Sequence, residues 1–155
     1  MTTRRSALTS AAKVAGLLLA TGMLPSMVAA QTAGFNAKAF DTKSMADLMK
    51  ALGASAPTES KDVSVTGPEI AENGAVVPIG AATTLTGVKR LLILVEKNPS
   101  ILSAMFDVSD AVDANFTTRV KMGQSSNVYA VAIMADGKAM FAQREVKVTL
   151  GGCGG

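Results

Sequence analysis

The sequence predicts a mainly β domain, an immunoglobulin-like β-sandwich of about seven strands. A short helix precedes it and a short glycine-rich tail follows it. Three observations predict this. Apolar and polar residues alternate, or apolar residues run on briefly, in about seven separate segments. Turn-forming Pro, Gly, Asn and Asp residues separate those segments at short, even spacing. The 155 residues are 48% hydrophobic and 17% charged, too apolar for a disordered chain and enough for one domain. With 4% aromatics and no Trp, the core must rest on Val, Ile, Leu, Met and Ala.

Residues 31–37 are small and polar and read as a lead-in. From Phe40 to Leu52 the apolar residues Phe40, Met45, Leu48, Met49 and Leu52 have helical spacing. Asp41, Lys43, Asp47 and Lys50 lie on the other side. Gly53 stands where such a helix would stop. Packing on the body of the fold is the preferred role of the apolar face; a methionine-containing partner face is the sharper alternative. Pro57-Thr58-Glu59-Ser60 reads as a linker.

Period two then takes over. Val63 and Val65 alternate with Ser64 and Thr66, and Pro68 and Asn73-Gly74 mark turns. Ala75 to Leu85 reads as an extended segment, and Pro78 predicts an edge position or a bulge. Val88 to Glu96 holds the run Leu91-Leu92-Ile93-Leu94-Val95 and ends at Asn98-Pro99; a strand covered on both faces fits it. Ile101 to Val108 and the alternation of Phe116, Thr118, Val120 and Met122 supply two more strands. Asp136-Gly137, between the apolar Val128–Met134 and Met140-Phe141, is a hairpin signal. Val146, Val148 and Leu150 close the body. The fold alone decides no function.

Composition excludes several chemistries. With no His there is no Ser-His-Asp or Cys-His unit, no His metal cluster and no histidine pH switch. One Cys permits no internal disulfide and no CxxC pair. The formal charge of +3 is not a sign of nucleic-acid binding. Arg4, Arg5 and Lys13 carry it, and the remaining 12 basic residues balance the 12 acidic ones.

Residues 1–30 read as an export signal. Arg4-Arg5 precedes an apolar run from Val14 to Leu24, Pro25 breaks the run, and Val28-Ala29-Ala30 offers a cleavage site before Gln31. The run is about half the ~20 residues that span a bilayer, so no membrane attachment is expected after processing. The arginine pair and the modest hydrophobicity favour the twin-arginine route, with Ala7 as the departure from its usual pattern. The domain plan is therefore signal 1–30, sandwich with its helix 31–150, and tail 151–155.

The tail is Gly151-Gly152-Cys153-Gly154-Gly155. Glycine tolerates most backbone angles, so two on each side of Cys153 read as a swinging arm. Fully extended, Leu150 to Cys153 spans roughly 10 Å at ~3.3–3.6 Å per residue. An unperturbed thiol is only about 3% thiolate at pH 7, from a pKa of ~8.5. No acid–base group neighbours Cys153, so activation would have to come from an enzyme that the arm visits. The pattern suits a carrier that attaches a group covalently at Cys153. It does not suit an enzyme or a cofactor-binding protein. The alternative is a non-carrier binding or structural module with a flexible tail. Glu69 and Glu72 could be read as paired carboxylates, but a polar turn before a strand is the simpler reading.

The run Val146-Lys147-Val148-Thr149-Leu150 into Gly-Gly-Cys-Gly-Gly resembles the C-terminus of the SoxY family, carrier proteins of bacterial thiosulfate oxidation. Pro68-Glu69-Ile70-Ala71-Glu72-Asn73-Gly74-Ala75-Val76-Val77-Pro78 is similar to that family's other signature. Glu96-Lys97-Asn98-Pro99, Thr118-Arg119-Val120-Lys121 and Ala135-Asp136-Gly137-Lys138 fall where it has them. The resemblance covers about residues 40–155. It implies a periplasmic carrier in a heterodimer with SoxZ, a small β-sandwich partner without its own export signal. It implies that Cys153 accepts the sulfane sulfur of thiosulfate in an oxidative step run by a c-type cytochrome. A hydrolase then releases sulfate, and a sulfur dehydrogenase, where present, oxidises the sulfur left behind. Carried over residue by residue, Cys153 is the attachment site and Gly151, Gly152, Gly154 and Gly155 form the arm.

Overall fold

A computed structural model describes residues 36–149. These form a β-sandwich with one helical flank. The chain runs through α1 (Ala37–Phe40), α2 (Met45–Leu52), β1 (Thr58–Glu59), β2 (Val63–Thr66) and β3 (Ile70–Ala71). It continues through β4 (Val77–Thr83), β5 (Val88–Val95), β6 (Leu102–Asp107), β7 (Asn115–Val120), β8 (Ser126–Met134) and β9 (Ala139–Val148). The larger sheet has the order β1-β9-β8-β5-β6, with β3 also on β9; the smaller has the order β2-β4-β7. The seven expected strands are β2 and β4 to β9.

The expected single helix is two. Ser44 is extended and its hydroxyl accepts from the Asp47 amide, which starts α2 afresh after the turn at residues 41–44. Gly53 ends α2 in the left-handed region, φ 68°, as its position suggested. Leu48 and Met49 are buried against the larger sheet, so the methionine-bearing face packs on the body.

β5 is covered on both faces, as its unbroken apolar run requires. Leu91, Ile93 and Val95 face the smaller sheet. Leu92 and Leu94 face Ala39, Leu48 and Met49 of the helical flank. All five are fully buried, which leaves none of this run for a partner surface. β8 divides in the same way: Val128, Ala130 and Ala132 face one core, Val131 and Ile133 the other. Phe106 of β6 stacks flat on Phe116 of β7 at 4.5 Å, joining the two sheets where neither strand has a further neighbour.

Two expectations are corrected by long-range pairing. Thr58 and Glu59 are not a free linker but a two-residue strand, parallel to β9 at Met140 and Phe141. Pro78 sits in β4, the middle strand of its sheet, not an edge. The physical reason is local: β2 stops at Thr66, opposite Gly80, so Pro78 pairs only with Arg119 of β7. The hairpin at Asp136-Gly137 turns through residues 135–138, closed by the Met134 amide donating to the Lys138 carbonyl at 2.8 Å. Gly137 donates to the Met134 carbonyl at 3.0 Å, with φ 84°, before β9 begins.

Candidate functional site

Cys153 and its four flanking glycines lie outside the described residues, as do residues 1–35. What the structure shows is the root from which that segment leaves. β9 ends at Val148, and Thr149 is the last residue described. The root is held on both sides. On one side, β3 runs parallel to it, pairing Ile70 with Lys147 and Ala71 with Val148. The Lys147 amide donates to the Glu69 carbonyl at 2.9 Å, and the Thr149 amide to the Ala71 carbonyl at 3.1 Å. On the other side, the Val148 amide donates to Ser125 Oγ at 2.9 Å. Val146 is fully buried beneath.

Around this root the structure gathers segments that are far apart in sequence. The Met122 amide donates to the Gly74 carbonyl at 2.7 Å. A Cβ on Gly74 would collide with the Met122 carbonyl and with a Val148 methyl, so only glycine lets the 70–76 turn lie so close. Asn98 donates to the Lys121 carbonyl at 2.7 Å, and the Lys97 amide to Ser126 Oγ at 3.1 Å. Residues 68–78, 96–99 and 118–121 thus meet at the end of the sandwich that launches the tail. The loop at 135–138 instead joins the start of β9. Ser125 and Ser126 carry two of these links and escaped the sequence reading. Ser126 is 3% exposed and the one buried polar residue among those described, a signal that appears only after folding.

Glu69 and Glu72 are not brought together as a catalytic pair. Glu69 points to Arg144, with Oε1 3.9 Å from Nη2, and Glu72 is exposed. Arg144 lies on the sandwich-facing side of β9, in register with Val128 of β8. Its Nε is buried and has no hydrogen-bond partner. Arg144, Lys147, Glu145, Glu69 and Ile70 line a recess of about 350 Å³ beside the root.

A larger cavity of about 700 Å³ lies under α2, lined among others by Met45, Met49, Pro57, Ile101, Tyr129 and Phe141. Tyr129 meets Phe141 there at 5.9 Å. Burial, and then the nearby Glu96 carboxylate, push the Tyr129 phenol above its usual range. Among the described residues no group of three or more His, Cys, Asp or Glu could hold a metal ion. No described helix is long and apolar enough to cross a membrane.

The family model of sulfur oxidation protein SoxY matches residues 48–153. The match takes in β1 to β9, the root and the cysteine beyond it. The chain belongs to the SoxY family. The sulfur carrier protein SoxY from Chlorobium limicola f thiosulfatophilum superposes with a TM-score of 0.61 at 37% identity. That alignment covers 68% of this chain and 96% of that one. No curated protein sequence matches the chain significantly. One form of superoxide reductase (neelaredoxin) from Ignicoccus hospitalis superposes with a TM-score of 0.51 at 14% identity, covering 70% of this chain and 100% of that one. Another form gives 0.50 at 13%, over 56% and 79%. At such identities these two share only the fold with this SoxY-family chain.

Proposed function

We propose that this chain is a periplasmic sulfur carrier of thiosulfate oxidation, loaded on Cys153 and processed by other proteins. The observation that carries the reading is the reach of the family match. It runs to residue 153, the only cysteine of the chain, in a tail with two glycines on each side. The Chlorobium relative is itself described as a sulfur carrier protein.

The chemistry is simple to balance. Cys153 thiol and thiosulfate give a cysteine S-thiosulfonate, one proton and two electrons. A c-type cytochrome takes the electrons. Water then splits the sulfur–sulfonate bond, releasing sulfate and a proton and leaving a persulfide on Cys153. A hydrolase provides that step, and a sulfur dehydrogenase, where present, oxidises the persulfide. The chain contributes the thiol and its delivery and supplies no catalytic group. Gly151, Gly152, Gly154 and Gly155 act as the arm that lets the thiol enter narrow enzyme pockets. A SoxZ-like sandwich is the partner in a heterodimer.

The test is intact mass of the mature protein from cells oxidising thiosulfate, beside the Cys153→Ser variant. The expected result is sulfur-containing adducts on the wild-type chain only. Thiosulfate-dependent turnover should be lost in the variant while its fold is kept. Hydroxyl oxygen is barely ionised near neutral pH and forms no comparable persulfide. Turnover by the Ser variant would overturn the carrier role and favour a binding or structural module with an incidental tail.

A further inference from the structure

We infer that Arg144 is an anion subsite for the sulfonate end of the group carried on Cys153. The inference rests on the carrier reading and adds a place where the carried group docks between enzymes.

Three observations lead to it. Among protein groups the Arg144 guanidinium has few acceptors: Nε is buried without one, and Nη2 meets Glu69 Oε1 at 3.9 Å, while the side chain is 37% exposed, so its outer donors are open to water or to a ligand. That distance is too long for a charge-assisted hydrogen bond, which runs at about 2.7–2.9 Å. The Glu69 side chain is 89% exposed, so water screens this contact strongly and a better acceptor can replace it. Finally, Arg144 lines the same recess as Lys147, and Lys147 is two residues from the last described residue.

The lining holds Arg144 and Lys147 against Glu69 and Glu145, so the recess has no net charge to draw anions in bulk. Recognition must come from geometry. A guanidinium offers a planar fork of donors that matches two oxygens of a sulfonate, as it matches a carboxylate or phosphate. Nε is covered now, so the incoming sulfonate would first meet Nη2 and the side chain would turn to present the Nε edge. Glu69 would be released to water.

Chain length allows the contact. Along β9, Arg144 lies roughly 17 Å from Thr149, at ~3.4 Å per residue. Thr149 to Cys153 can span at most about 14 Å. The cysteine side chain and its S–SO₃ group, with the arginine side chain reaching from the other end, cover the remainder. A neutral or persulfide-bearing Cys153 has no sulfonate to offer, so docking would distinguish the first intermediate from its desulfonated product.

The test uses the mature full-length chain, as it purifies with any partner bound. Tetrathionate loads it. The thiolate attacks a central sulfur, the central S–S bond breaks, thiosulfate leaves, and the S-thiosulfonate stays on Cys153. A control is capped as the methyl disulfide, of similar reach but without charge. The readout is the Nε–H NMR resonance of Arg144. Beyond the leader the chain has only Arg90, Arg119 and Arg144, so an Arg144→Lys spectrum assigns it. The expected result is a shift of the Arg144 signal in the sulfonate form, absent from the methyl form and from the methyl form with added free sulfate. An unmoved signal in the sulfonate form overturns the inference, as does an equal shift in the methyl form. A shift on adding sulfate to the methyl form assigns the site to free oxyanions and overturns the tethered role. These outcomes leave the carrier reading intact. Failure of Cys153 to accept the group at all, seen by mass, would remove both.

Discussion

Asp136 and Gly137 divide the work of one turn. Gly137 takes the left-handed conformation that closes the loop, and Asp136 Oδ1 accepts the Lys138 amide at 3.0 Å. That backbone bond first, and then the Lys138 ammonium at 2.9 Å, hold the Asp136 carboxyl below the ordinary carboxylate range. The folded value is depressed, so the stabilisation is complete above the ordinary aspartate value and is lost as pH falls through the lower folded one. A carboxyl ¹³C titration should show this low midpoint, and Lys138→Ala should move it back only part of the way. Full return would show that the exposed ion pair, not the turn, is the main cause. At this scale the sequence was readable where a residue's own backbone preference decides, as at Gly53 and Gly137. It was silent where burial decides: Ser126 and the unpaired Nε of Arg144 are ordinary polar residues until the sheets close over them.

The strands show where local pattern suffices and where it fails. The run Leu91–Val95 predicts a strand with two covered faces because no alternation is present, and the structure supplies a sheet on one side and helices on the other. β1 and β3 had no such signal. Each has two residues, and each exists because β9 leaves an edge for it, at Met140-Phe141 and at Lys147-Val148. Pairings of this kind are set by the partner strand, not by the residues that pair. The two-faced strand makes a prediction. Leu92→Ala and Ile93→Ala should each cost about 2–5 kcal/mol in chemical denaturation, as buried large-to-small changes do. Only Leu92→Ala removes packing from beneath α2. Amide exchange in Met45–Leu52 should therefore rise more in Leu92→Ala than in an equally destabilised Ile93→Ala. Equal exchange would show that α2 does not depend on this contact.

At the scale of the whole molecule, the family was legible from the tail and from segments that the fold brings to its root, while partner surfaces were not. Docking faces are ordinary surface until a partner covers them, and a half-buried methionine or phenylalanine has the same spacing in either role. Residues 1–30, by contrast, carry their reading as a twin-arginine leader in the sequence itself, and that reading bears on assembly. A twin-arginine signal serves proteins that fold before they cross, and a chain that has folded can take a bound partner with it. We therefore expect a SoxZ-like protein without its own signal to reach the periplasm only as cargo of this chain. Replacing Arg4 and Arg5 by Lys should leave the precursor in the cytoplasm and should leave the partner there too, although the partner's gene is untouched. The check is fractionation with antibodies to both proteins, with a tag on this chain to recover the pair. Normal export of the Lys-Lys form would assign the leader to the general secretory route. That route threads unfolded chains, so assembly would then have to follow export. A partner found in the periplasm while this chain is trapped would show that the two travel separately, and recovery of this chain alone from wild-type periplasm would remove the heterodimer.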